Sequence, residues 1–114
     1  MIMNQLVQHE QRQFLRIPAV LYFSLEIEGR LYFGNTGNLS LGGVYLDSCN
    51  PKIPDGALGK KGVIRIAIGA KTVELACDVT YSKGTPMMDG VGLRFHRADA
   101  KHYDLLEQYI QDHS

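Results

Sequence analysis

Two short clusters carry most of the chemistry this sequence has to offer. The first is Arg12-Gln13-Phe14-Leu15-Arg16, with two guanidinium groups four residues apart, followed at once by Ile17-Pro18. On a helix this pair would be a solvated turn with both side chains on one face. Pro18 opposes that reading, because the residue before a proline is pushed out of the helical region. In an extended segment, two permanently charged forks reach opposite sides of one compact ligand. Each fork suits phosphate oxygens and the O6/N7 edge of guanine, and its plane can stack on a purine.

The second cluster is Asn38-Leu39-Ser40-Leu41-Gly42-Gly43. On a strand, Leu39 and Leu41 would enter the core, while Asn38 and Ser40 would stand side by side on the outer face. Two small polar side chains there could bond a flat heterocycle. Gly42 and Gly43 would then remove bulk where a ligand approaches the backbone, and they permit a bulge. Leu39 and Leu41 are odd-numbered whereas Val44 and Leu46 are even-numbered, and a one-residue bulge at Gly42-Gly43 would explain the change of parity. The plain structural alternative is a polar outer strand face with a bulge and no ligand.

Other chemistry lacks a pattern. His9, His96, His102 and His113 form no HExxH or other ligand spacing, and neither a GxSxG elbow nor a GxxxxGK(S/T) loop occurs. No catalytic or metal-ligating set is therefore expected, and the chain is read as a non-enzyme. The two cysteines, Cys49 and Cys77, make no CxxC pair. Cys77 falls in Val73-Glu74-Leu75-Ala76-Cys77 and reads as a buried thiol. With 12 Lys+Arg against 12 Asp+Glu, the formal net charge is zero. That balance argues against coating nucleic acid or an anionic membrane. No apolar run has membrane-spanning length and the first residues lack signal-peptide character, so the expectation is a soluble, cytoplasmic chain.

The elements that must position these clusters are short. At 114 residues the chain suits one domain. Residues 1–9 offer few anchors and are expected to form a flexible arm. Leu21, Phe23, Leu25 and Ile27 alternate with polar neighbours as in a half-buried strand. Glu28-Gly29-Arg30 reads as a tight turn. A second strand opens at Leu31-Tyr32-Phe33 and is loosened by Gly34-Asn35-Thr36-Gly37. Asn38 to Asp47 reads as a third strand with a glycine interruption, and Ser48 to Lys61 as a loop. Val63 to Ile68, Thr72 to Ser82 and Gly90 to His96 complete six strands, with a turn region over 83–89. Asp99 is placed to cap a closing helix in which His102, Leu105, Leu106, Tyr109 and Ile110 recur at helical spacing. Short strands with turn signals between them indicate a small barrel or sandwich.

Taken together, the residues resemble the PilZ domain family. The family pattern is RxxxR followed by (D/N)xSxxG, matched here by Arg12 and Arg16 and then Asn38, Ser40 and Gly43. Gly90-Val91-Gly92-Leu93-Arg94-Phe95 and the helix after it are similar to the family's closing strand and helix. The resemblance spans about residues 10 to 110. It implies a mainly all-β fold, a six-stranded antiparallel barrel with a short C-terminal α-helix. The segment 10–18 would clasp the ligand, 19–97 would be the barrel and 99–112 the helix. It implies cyclic di-GMP as ligand, with no other cofactor. Arg12 and Arg16 would hold phosphate and guanine, Asn38 and Ser40 the edge of one guanine, and Gly43 would leave room for the base or the bent backbone. Gln11, Gly42 and Arg94 are further candidate contacts that no motif position fixes. With no output module beside the barrel, the resemblance implies an adaptor whose arginine segment rearranges on binding and signals to a partner protein. Two other readings stand beside it. One is a barrel of this type used only for protein contact. The other is a single-strand nucleic-acid binder of OB type, stacking bases on Tyr22, Tyr32, Phe33 and Tyr45, against which the zero net charge counts.

Overall fold

The computed structural model describes residues 16–81, 91–96 and 100–114. The strands are β1 (Ile17–Pro18), β2 (Tyr22–Ile27), β3 (Arg30–Leu39), β4 (Gly43–Asn50), β5 (Lys61–Ile68), β6 (Lys71–Tyr81) and β7 (Val91–Phe95). A 3₁₀ turn at Asp55–Ala57 lies between β4 and β5, and helix α1 (Ala100–His113) closes the chain. All pairings are antiparallel, in the order β3-β2-β5-β6-β7-β4, and β4 returns to β3. The six long strands thus close a barrel, and β1 is an extra strand on the far end of β3. The expected six-stranded antiparallel barrel with a C-terminal helix is what forms.

Alternation drives the closure. Phe23, Leu25 and Ile27 of β2 are buried, and Leu25 lies between Tyr32 of β3 and Ile64 of β5. Around the ring, Leu39 pairs with Val44, Val44 with Leu93, and Leu93 with Val79, all buried. The β2–β3 hairpin turns on Glu28-Gly29, both at positive φ (53° and 80°), the twist that a two-residue loop between right-twisted strands requires. Cys77 is buried among these side chains, and loss of hydration pushes its thiol up to about 12.

Helix α1 seals an edge that the strands leave open. Pairing of β6 with β7 begins only at Cys77, so the first half of β6 has no strand on that side. There the N–H of Glu74 donates to Nδ1 of His102 at 2.8 Å. Leu106 and Ile110 are buried against the core, each contributing roughly 1.5–3 kcal/mol by removal from water.

Two expectations are corrected. Gly34-Asn35-Thr36-Gly37 does not loosen the second strand; β3 runs unbroken to Leu39. The reading of Asn38 to Asp47 as one strand with a bulge at Gly42-Gly43 also fails. Asn38 and Leu39 end β3, Ser40 to Gly42 turn the chain, and Gly43 begins β4. Leu39 is the direct partner of Val44, so an odd position on one strand faces inward with an even one on the next. The hairpin itself accounts for the parity change. The true register shifts lie further down the β3–β4 pair, between Asn35 and Thr36 and between Thr36 and Asn38. They leave Asp47 and Gly37 as extra residues on their strands and bend the pair.

Candidate functional site

The chain path into the site is fixed by one buried hydroxyl. Thr36 is buried in β3; its Oγ1 donates to the carbonyl of Ala19 and accepts the N–H of Leu21 at 2.9 Å. The backbone adds Ala19 N–H to Gly37 O (3.2 Å) and Thr36 N–H to Leu21 O (2.9 Å). These bonds fasten the bend between β1 and β2 to the barrel, and so set where β1 lies. β1 pairs Ile17 with Leu39 and Pro18 with Asn38, as the extended path expected from Ile17-Pro18 allows. Arg16, one residue earlier, is thereby delivered to the second cluster. Its Nη1 donates to Oδ1 of Asn38 at 3.0 Å, across twenty-two residues of sequence. Arg16 is exposed and Asn38 half-buried. The amide nitrogen of Asn38 makes no hydrogen bond to a described residue, and neither does the rest of the Arg16 fork. Arg12, Gln11 and the arm 1–9 lie outside the described residues, as do Asp99 and the turn over 83–89.

Ser40 is placed differently from the expectation of an outer face. It is only 3% exposed. Its N–H donates to Gly43 O (2.9 Å), its Oγ accepts the N–H groups of Gly42 and Gly43 (3.2 Å each), and its hydroxyl lies 3.3 Å from Gly43 O as donor. The side chain closes the turn on itself. Its hydroxyl is engaged because two glycine N–H groups at the tip of a tight hairpin have no other strand to meet. Gly43 leaves room for protein backbone. A β-carbon there would collide with the carbonyl oxygen of Leu93 on β7. Gly42 accepts the N–H of Phe95 at 2.9 Å, and Leu41 accepts the hydroxyl of Tyr103 at 3.0 Å. The turn is thus joined to β7 on one side and to α1 on the other.

Arg94, on β7, lies directly opposite Gly43 of β4 and Asp78 of β6. Its Nη2 is 3.3 Å from Oδ2 of Asp78, and Nε2 of His96 is 2.8 Å from the same oxygen, a close approach without the alignment of a hydrogen bond. His96 first, and Arg94 after it, hold the Asp78 carboxyl below the usual range, against the opposing effect of desolvation. Asp78 was not legible as a partner of the motif, because only the β6–β7 register brings it beside Arg94. Of the four aromatic side chains considered for base stacking, Tyr32 and Tyr45 are buried, whereas Tyr22 and Phe33 are 76% and 52% exposed.

So the structure brings Arg16 and Asn38 into contact, folds Ser40, Gly42 and Gly43 into the turn beside them, and sets Arg94 on the neighbouring strand. Against known families, the PilZ domain matches the chain over residues 10–112. The chain belongs to the PilZ domain family. Solved structures share its fold. The PilZ domain of CeSA from a cellulose-synthesising bacterium superposes with a TM-score of 0.67 at 15% identity, over 86% of this chain and 96% of that one. The PilZ domain of YcgR from Escherichia coli, solved with c-di-GMP, gives 0.68 at 16% identity over 90% and 91%. The inhibitor of motility MotI/DgrA of Bacillus subtilis gives 0.70 at 20% identity, over 86% of this chain but only 48% of that one. No curated protein matches the chain. No described helix is long and apolar enough to cross a membrane.

Proposed function

We propose that this PilZ domain is a receptor for cyclic di-GMP rather than an enzyme, and that it acts as an adaptor for a partner protein. The observation that carries the reading is the Arg16–Asn38 contact, which joins the two sequence clusters at one exposed point of the barrel. The remaining N–H groups of Arg16 face phosphate or the O6/N7 edge of a guanine. The open amide of Asn38 donates to guanine, and its oxygen retains a second lone pair for the guanine amino group. Arg12 supplies the second cation. Ser40 and Gly43 hold the turn against which the ligand rests, while Gln11, Gly42 and Arg94 are secondary contacts. Binding draws the arginine segment onto the barrel, and the Leu41–Tyr103 bond offers a route from the turn to helix α1.

Calorimetric titration tests this directly. Cyclic di-GMP is expected to bind saturably and more tightly than GMP or GTP, because two linked guanines and two phosphates engage both clusters at once. Equal affinity for GTP overturns the reading. A second reading, a barrel that serves only in protein contact, draws on the exposed Val20, Tyr22, Leu31 and Phe33 on and beside the outer face of β2 and β3. It gains ground if cyclic di-GMP produces no heat at all.

A further inference from the structure

The far end of β3 holds a second concavity that the ligand motif does not touch. Arg30 opens β3 and Leu39 ends it, so the two ends lie roughly 30 Å apart at about 3.3 Å per residue. At the Arg30 end a cavity of about 310 Å³ is lined by Arg30, Tyr32, Lys60, Glu28, Ile27 and Ala57, among others. Its volume is at the lower end of the range for small-molecule sites, which starts at roughly 300 Å³.

Its polar groups are unequal. Lys60 Nζ lies 3.0 Å from Glu28 Oε2, so those two charges compensate each other. Arg30 pairs with no carboxylate among the described residues, leaving one net positive charge at the rim. Tyr32 is only 3% exposed, yet its hydroxyl makes no hydrogen bond to any described residue and is not sealed from solvent. A buried tyrosine hydroxyl ordinarily finds a partner. Open to the cavity rather than sealed, this hydroxyl can donate to a molecule held there. The floor beside it, Ile27 and Ala57, is apolar and buried.

We propose that this cavity binds a small monocarboxylate with a compact apolar body, such as a single aromatic ring. The guanidinium fork of Arg30 and the Tyr32 hydroxyl supply donors to the two carboxylate oxygens. The apolar floor takes the ring. Glu28 limits the ligand to a single negative charge, since a dianion would meet its carboxylate as well. The site is independent of cyclic di-GMP binding and stands or falls without it.

Amide chemical-shift titration of the 114-residue chain with sodium benzoate and with benzamide, its neutral isostere, tests the assignment. Benzoate is expected to give saturable shifts centred on Arg30, Tyr32, Gly56 and Ala57, and benzamide to bind about tenfold more weakly, the loss of one charge-assisted bond. Arg30→Gln is expected to weaken benzoate about tenfold and Tyr32→Phe about threefold, each with an unchanged melting temperature. Absence of saturable shifts with benzoate overturns the proposal. So does equal binding of benzamide, undiminished binding by Arg30→Gln, or shifts centred on Arg16 instead.

Discussion

The two halves of the motif do opposite things with their polar groups. The turn from Ser40 to Gly43 spends them internally: one hydroxyl meets two N–H groups and a carbonyl, and Gly43 lies against the backbone of β7. The Arg16–Asn38 pair leaves most of its donors facing outward and makes a single bond across the fold. A motif that reads as five ligand contacts is therefore a built corner and a pair with open donors, the pair that the proposed function makes the grip. The corner fixes where β4 starts; the grip hangs on it through the pairing of β1 with β3.

Substitutions should divide along that line. The largest effect is expected at Gly43. A methyl group there meets the Leu93 carbonyl, and neither strand of a closed barrel can yield freely. Gly43→Ala is expected to cost roughly 3 kcal/mol or more in stability, visible as a large fall in urea midpoint with no ligand present. A native midpoint would break the contrast, by showing that Gly43 is there for the ligand. Next is Ser40→Ala. It strands the N–H groups of Gly42 and Gly43 at a half-buried turn, at about 1 kcal/mol. Its melting temperature should fall without ligand, and affinity for cyclic di-GMP should weaken only as far as the turn loosens. Arg16→Ala should do the reverse. Its exposed side chain can be removed within about 0.5 kcal/mol of stability, while loss of a charge-assisted grip should weaken cyclic di-GMP by about ten- to a hundredfold in calorimetry.

The sequence made some of this plain and concealed the rest, for reasons that lie in particular residues. Alternation over Phe23, Leu25 and Ile27, and again over Ile64 and Ile66, marked strands because one barrel face is dry and the other wet. Gly34 looked like a breaker, yet it sits mid-strand, where a β-carbon would strike the Ser48 carbonyl. A glycine required by a neighbouring backbone is indistinguishable in sequence from one that ends a strand. Ser40 was read as a candidate site residue and not as the turn's own fastening, since a hydroxyl serves either purpose and only the hairpin geometry shows the second. Arg94 could be singled out as a cation near the end of the chain. Its tie to Asp78 depends on the register of β6 against β7, which no local pattern records.

That tie gives the smallest expected effect and asks which half of the comparison Arg94 joins. The Asp78 carboxyl is held below its ordinary range by His96 and Arg94, so the folded protein binds its proton less readily than the unfolded chain. A lowered carboxyl pKa contributes stability that is complete above the unfolded value, about 3.9, and is lost as pH falls through the folded value. Thermal melts from pH 7 downward should therefore show an acid-limb decline below about pH 4 that is shallower in Asp78→Asn. At neutral pH the variant should melt slightly lower than the parent, because the Arg94 end of the pair is largely exposed to water. If Arg94 belongs with the corner, its tether to Asp78 matters only for stability, and Asp78→Asn leaves cyclic di-GMP affinity unchanged. If it belongs with the grip, releasing it from Asp78 frees a third cation beside Gly43, and affinity rises while stability falls. An identical acid limb in Asp78→Asn and parent would remove the tether from the account altogether.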